Sequence, residues 1–366
     1  MVTAAADEPP AAADGQPSAA GAQSSFARRH RRATSTLVGG LAAAGFVYFV
    51  IPRILGLGST LNRLSHGDAW WLAFGVVLES LSIFGDVALL KGVFSGEKNH
   101  ISWRLSNQIT LAGSAATKLL ATAGAGGVAL TVWALRAAGV PGEEVGTGMV
   151  CFDVVMYGVY MAALAIGGFG LWLGLFAGGA PVGLTLLPAI FGTCVILIAL
   201  SMLVADEPAQ RWLERRADHA KGRAARRWRH LSTWPRALQA GITAAIAMTR
   251  RRNPSLLGAL ASWGFDIATL WASFEAFGRS PPVAVLVMGY YVGTLANALP
   301  LPGGIGGVEG GMIGSFLAFG VNGDLAVIAV LGYRTISYWL PTIPGAIAYV
   351  RLHRTLAHRH GEPEVR

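Results

Sequence analysis

Eight ionisable residues fall inside or at the ends of long apolar runs: Glu79, Asp86, Lys118, Asp153, Asp266, Glu275, Glu309 and Arg334. Charges in such surroundings are costly, and they mark cavities, partners or transported groups. Arg334 stands about ten residues into its run, roughly 15 Å deep at the helical rise. Its planar fork suits bidentate binding of a phosphate, and it equally suits a structural pair with Glu309 or Asp266. Lys118 is a second buried cation and joins it as a substrate-binding candidate. Glu309, Asp266, Asp153 and Asp86 are the candidates for carrying a coupling proton. Glu79 and Glu275 read as closer to the ends of their runs and carry less weight.

Glu309 lies in "NALPLPGGIGGVEGGMIGSF", Asn297 to Phe316, which holds seven glycines and two prolines. Gly and Pro disfavour helix and strand interiors, yet apolar runs flank this stretch on both sides. Irregular backbone at membrane depth is tolerated where protein buries it or a wet cavity borders it. A helix that starts after the glycines points unpaired N–H groups and a positive dipole end at an anion. Gly303, Gly304, Gly306 and Gly307 are the expected substrate-binding backbone, together with Gly124, Gly126 and Gly127 of a related stretch, "GAGGV". The competing reading is that these glycines allow close helix packing.

The elements that hold these residues belong to a membrane protein. Of 366 residues, 53% are hydrophobic and 13% charged, about half the charged fraction of ordinary globular chains. Apolar runs are long enough to cross a bilayer core of ~30 Å. Spans are expected near 36–56, 69–93, 147–176, 182–204, 255–277 and 324–351. Two interrupted apolar regions cover 104–139 and 283–320. Residues 1–35 read as a disordered, basic N-terminus, with "RRHRR" ahead of a retained span. Residues 205–254 form a basic linker and 353–366 a basic tail; the membrane domain is 36–352. Cys151 and Cys194 lie in apolar runs and read as small buried hydrophobes.

Charge placement orients this map. If each interrupted region is a hairpin returning to its own side, 24 of the 29 Lys and Arg fall on one side. Only Arg53, Arg63 and Arg279 fall on the other, and Lys118 and Arg334 lie within the membrane. The positive-inside rule then predicts a multi-pass protein of the plasma membrane with both termini cytoplasmic.

"GAGGV" (Gly124 to Val128) aligns with "GIGGV" (Gly304 to Val308), 180 residues later. Each is followed by a short apolar helix ending in "GV", at Gly139 and Gly320. The fold expected is all-α: a polytopic membrane helix bundle with two re-entrant hairpins and inverted repeats, as in many transporters.

"LPLPGGIGGVEGGMIGSFLAFGV" followed by "YRTISYWLPTIPGAI" resembles the membrane domain of the lysylphosphatidylglycerol synthase/flippase-like family. The resemblance runs from about residue 36 to 352 and is strongest in the second half; "ATAGAGGV" stands where relatives carry a proline-containing tip. Relatives that make lysyl-lipid add a soluble aminoacyl-transferase domain, and here only a short basic tail follows. The resemblance implies translocation of a lipid or lipid-linked headgroup rather than its synthesis.

Other chemistries lack their motifs: HExxH, GxSxG and GxxxxGK[ST] are absent from the sequence, and "GIGGVEG" lacks the dinucleotide-binding glycine spacing. "HRTLAHRH" reads as a solvated tail rather than a metal site. No catalytic residue, metal or cofactor is expected, and the chain is not expected to be an enzyme. The linker interleaves Trp212, Trp228 and Trp234 with arginines, which fits an anionic lipid surface better than nucleic acid. The expected function is movement between leaflets of an amphiphile with an anionic or phosphate headgroup: phospholipid, aminoacylated phospholipid or polyprenyl-phosphate-linked sugar. The alternatives are a membrane subunit scaffolding a glycosyl- or acyl-transferase partner, and a transporter of a small soluble anion.

Overall fold

The structure, a computed structural model, describes residues 67–95, 101–119, 125–179, 181–204, 223–295 and 306–361. The N-terminal segment, the expected span at 36–56, Gly124, Gly303 and Gly304, and linker residues 205–222 lie outside the described residues. All regular structure among the described residues is helical.

The first helix, α1 (Ala69–Phe94), starts at an Asp68 cap whose carboxylate accepts the Trp70 N–H at 2.9 Å, satisfying one of the unpaired first-turn donors. The first interrupted region folds as α2 (Trp103–Leu119) and α3 (Ala125–Ala137). Next come α4 (Gly142–Trp172) and α5 (Val182–Val204). The helix α6 (Arg223–Arg250) is followed by a 3-10 turn at Pro254–Leu256 and α7 (Leu257–Phe277). The second interrupted region folds as α8 (Val283–Thr294) and α9 (Gly307–Ala318). The C-terminal run is α10 (Gly323–Arg334), a π-helical segment at Thr335–Trp339, and α11 (Leu340–Gly361).

Among the described residues, α1, α4 and most of α5 (Val182–Met202) are long and apolar enough to cross a membrane. They match three expected spans, α4 beginning about five residues early because Pro141 stands at its N-cap with extended geometry. The span expected near 255–277 is α7, whose apolar character is diluted by Ser262, Asp266, Thr269, Ser273 and Glu275. The span expected at 324–351 is not one regular helix, since the π segment interrupts it.

The two interrupted regions end alike. Gly139 and Gly320 both take left-handed φ, 94° and 84°, a conformation that costs glycine nothing. Beyond them, Val140 N–H reaches Leu135 O at 3.1 Å and Val321 N–H reaches Phe316 O at 2.9 Å, the bond that closes a glycine C-cap. Each pair also packs through a glycine. A Cβ at Gly127 would meet Gly113 O at 2.5 Å, and one at Gly311 would meet Gly293 O at 3.0 Å. Gly113 and Gly293 are again 180 residues apart.

The linker differs from a purely surface-lying segment. The second half of α6 packs on α4: Ile242 and Ala245 are buried, and a Cβ at Gly241 would press on Val150 and the Cys151 N–H. Small residues there let the two backbones approach.

The broadest helix contact is α1 on α7. A Cβ at Gly85 would lie 2.6 Å from Gly258 O and from Ser262 N, so the backbones touch. Hydrophobic side chains pack to either side. Leu270, Phe274, Met288, Met312 and Phe316 fill one core, and Leu90, Ile109, Leu135 and Leu352 fill the other.

Candidate functional site

The α1/α7 seam carries polar groups in its middle. Ser82 Oγ donates to Ser262 O at 2.9 Å, and Thr269 Oγ1 reaches Gly75 O at 3.4 Å. These pairings fix an antiparallel register centred on Ser82 and Ser262, which are themselves 180 residues apart. Asp86 and Asp266 share that separation, each one helical turn beyond its serine. Glu79 lies one turn before Ser82, about 15 Å from the start of α1 at the helical rise. It is 6% exposed, so this carboxyl sits mid-helix rather than near an end.

Asp266 is held by two phenols. Tyr290 Oη donates to Oδ2, and Tyr333 Oη donates to Oδ1 at 2.9 Å. The side chain of Glu79 lies against that of Asp266, and Asp86 faces Ser262. Lys118 of α2 is within electrostatic reach of Glu79, Asp266 and Asp86. Beneath Tyr290 an aromatic layer closes the site: Tyr160 stacks on Tyr291 at 4.6 Å and donates to its carbonyl at 2.6 Å, and Trp263 Nε1 donates to Met156 O of α4.

A second group of contacts runs through the π segment. Arg334 Nε donates to Glu309 Oε1 at 3.2 Å, and the Gly306 N–H donates to Glu309 Oε2 at 2.7 Å. Glu309 therefore caps the start of α9, where the helix dipole favours a carboxylate. The Arg334 guanidinium lies 4.6 Å above the Tyr338 ring, and Lys118 Nζ lies 5.6 Å from the same ring, both within cation–π range. Lys118 Nζ donates to Ser337 O at 2.8 Å, and Tyr338 Oη donates back to Lys118 O at 2.7 Å. The C-terminal end of α2 and the start of α9 are thus joined through one π turn, an irregularity frequent at functional sites.

Among the described residues, five buried side-chain polar atoms lack a hydrogen-bond partner, and three belong to this assembly: Glu79 Oε2, Asp86 Oδ1 and Arg334 Nη2. Buried polar groups are normally satisfied by protein or ordered water, so these three atoms are open to a further partner. The assembly holds Glu79, Asp86, Asp266 and Glu309 against Lys118 and Arg334. No group of three His, Cys, Asp or Glu able to hold a metal occurs among the described residues.

The structure thus brings together Arg334, Lys118, Glu309, Asp266, Asp86 and the α9 start at Gly306 and Gly307. Asp153 is not among them: it is exposed on α4. Gly127 is buried in the α2/α3 contact, so close packing accounts for it, and Gly126 precedes it in the first turn of α3. Glu275 accepts from Ser280 Oγ at 2.7 Å and ties the turn after α7. Sequence reasoning missed Tyr290, Tyr333 and Tyr338 and set Glu79 too low. The 180-residue offset already pairs Asp86 with Asp266 and was the available signal.

An apolar cavity of about 510 Å³ opens between the end of α4 and the start of α8, lined by Ala163, Ile166, Gly167, Phe176, Val283 and Val287. Val287 is about one helical turn from Tyr290 on α8.

Relatives are membrane proteins. A UPF0104 membrane protein of Methanothermobacter thermautotrophicus is 36% identical over 111 residues, 30% of this chain and 32% of the relative. One from Pyrococcus horikoshii is 33% identical over 108 residues, 29% and 32% of the two chains. One from Methanocaldococcus jannaschii is 33% identical over 99 residues, 27% and 30%. The match to this chain spans about a third of the length of each of these curated relatives. The model of the lysylphosphatidylglycerol synthase transmembrane region matches residues 36–345. With that match covering most of the sequence, over helices that cross a membrane, the chain belongs to the lysylphosphatidylglycerol synthase transmembrane-region family.

Proposed function

We propose that the protein translocates an amphiphile with a phosphate-bearing headgroup between membrane leaflets, and that it does so without catalysing a covalent reaction. The observation that carries this reading is Arg334: half-buried, anchored by Glu309 through Nε, with a buried Nη2 facing no acceptor. A phosphate oxygen is the natural acceptor for such a fork. Lys118, in reach of the same Tyr338 ring, supplies a second cation. The apolar cavity along α8 supports a lipid over a small soluble anion, because a free anion has no use for an apolar wall.

Membership of the family is consistent with a role in membrane lipids. The matching glycine endings of α3 and α9, the Gly113/Gly293 pairing, and the contact of Ser82 with Ser262 support an internal duplication of inverted halves. The lengths of α3, α8 and α9 (13, 12 and 12 residues) support hairpins that enter part-way, since a crossing takes about 20 residues.

The test is translocation in liposomes holding the purified full chain and a panel of labelled lipids: phosphatidylglycerol, an aminoacylated phosphatidylglycerol, a polyprenyl-phosphate sugar and, as control, diacylglycerol. The phosphate-bearing lipids should move and diacylglycerol should not. Arg334→Gln should slow movement on the order of 100-fold, the effect of removing one partner of a buried charged contact. Arg334→Lys keeps the charge, loses the fork, and should fall between. Full activity of a folded Arg334→Gln protein would return Arg334 to a structural pair with Glu309.

A further inference from the structure

We propose that Glu79 and Asp266 together hold a proton, and that this carboxyl pair couples headgroup movement to proton movement; the coupling rests on the translocation reading above, the proton site does not. The argument begins with charge. Glu309 is matched by Arg334 at 3.2 Å. Among the described residues that leaves Glu79, Asp86 and Asp266 facing Lys118 and, after it, an Arg334 already engaged by Glu309, in a seam where the backbones of α1 and α7 touch and water has little room. Uncompensated charge of one sign in such a medium is expensive, so positive charge must be bound there. The carboxyls do not converge as metal ligands do. Protons need no convergence, since each attaches to one oxygen.

Geometry places the proton. Asp266 has both oxygens engaged by phenolic donors, so it is a fixed acceptor. Glu79, 6% exposed, lies against it and keeps Oε2 without any partner. An O–H on Glu79 directed at Asp266 turns a clash of two carboxylates into a hydrogen bond.

The groups facing this pair are known from every element around it. Asp86 shares α1, Lys118 comes from α2, Ser262 and Thr269 flank it on α7, Tyr290 comes from α8, and Tyr333 and Arg334 from α10. Lys118 is the link to the headgroup side, because its ammonium is held at Ser337 O beside Tyr338 and Arg334. An arriving phosphate draws on Lys118 and Arg334 and so withdraws positive charge from the carboxyls. Glu79 then holds its proton more tightly, and a molecule without one takes it up from water. When the headgroup leaves and Lys118 turns back to the carboxyls, the O–H bond of Glu79 breaks more readily and the proton returns to water.

The experiment is infrared difference spectroscopy on the reconstituted full chain, titrated in H2O and D2O. The wild type should show a protonated-carboxyl stretch that shifts in D2O. Glu79→Gln should abolish that band, and Asp266→Asn should move it. Glu79→Asp keeps a carboxyl and should retain the band, which separates a site-specific proton from a folding defect. A wild type without the band, or a band unchanged in Glu79→Gln, overturns the proton site. Coupling is read separately, as the transbilayer distribution of a translocated lipid under an imposed pH difference. One proton per lipid predicts about a tenfold shift per pH unit, by mass action, in wild type and none in Glu79→Gln. A normal band in a protein that moves no lipid of the panel would strike the translocation reading and the coupling, while leaving the proton site standing.

Discussion

Adding one methyl group at Gly85 should separate the two helices that carry the carboxyls. The new Cβ would lie 2.6 Å from Gly258 O and from Ser262 N and 3.1 Å from Ser262 Cα, where ordinary contact begins at 3.4 Å. The obstacles are backbone atoms of α7 and cannot rotate away, so the helices must part by about 0.8 Å locally. The Ser82–Ser262 hydrogen bond, 2.9 Å long, would stretch beyond useful length. Overpacking costs about 1–3 kcal/mol and the lost bond about 1 kcal/mol, against a helix gain of about 0.5–1 kcal/mol for replacing Gly by Ala. Gly85→Ala should therefore destabilise by about 1–3.5 kcal/mol. Gly264→Ala is the control: it lies on α7 with nothing within 4 Å of its Cβ, so only the gain of about 0.5–1 kcal/mol applies. The two variants should differ in melting temperature, measured in detergent by intrinsic fluorescence, by roughly 2–6 °C, at about 1.3 °C per kcal/mol for a chain of this length. Equal melting of the two would refute the close-packed seam and, with it, the dry setting of Glu79 and Asp266.

Tyr333→Phe removes one of two hydroxyl donors to Asp266 and should lower stability by about 1.5–3 kcal/mol, as for hydrogen bonds to charged groups; adding Tyr290→Phe should cost less or more than the sum, since both serve one carboxylate, and strict additivity in denaturation would argue against the shared anchor. Cysteines introduced at Ser24 and Glu364 should label only from the cytoplasmic side of sealed cells and one at Ser280 only from outside; labelling of Ser280 from the cytoplasm would overturn the inverted halves. In a peptide of the linker, replacing Arg226, Arg227 and Arg229 by Gln should weaken binding to anionic vesicles, with the difference shrinking as salt screens the surface charge; equal wild-type binding to neutral and anionic vesicles would remove the lipid-surface role.

What could be read from the sequence was what composition alone controls. The spans α1, α4 and α5 are continuous apolar runs, and no other local structure suits such runs at that length. Arg334, Lys118, Asp266 and Asp86 stood out because charge among apolar residues is rare. Glu79 was underweighted because a span boundary estimated from hydropathy cannot say how far a residue lies from its helix cap. The tyrosines were hidden for another reason: they count as apolar in the pattern, and their hydroxyls matter only once tertiary packing turns them onto Asp266. Averaging the linker as one basic segment concealed the small residues around Gly241 that let α6 dock on α4. The π segment has no sequence code, since "TISYW" continues an apolar run and one extra residue in a turn leaves no compositional trace.

That extra residue would let Thr335–Trp339 act as a swivel. An α-helix advances about 100° per residue, so a π turn that relaxed into regular α geometry would rotate one half of the C-terminal helix against the other by roughly that angle. Arg334, bolted to the start of α9 through Glu309, stands on one side of the joint, and Ser337 and Tyr338, clasped to the end of α2 through Lys118, stand within it. Torsion at this single turn would turn the start of α9 against the end of α2 about the helix axis. The α1/α7 seam, where the backbones meet at Gly85 and Gly258, would be the fixed frame against which that turn is made.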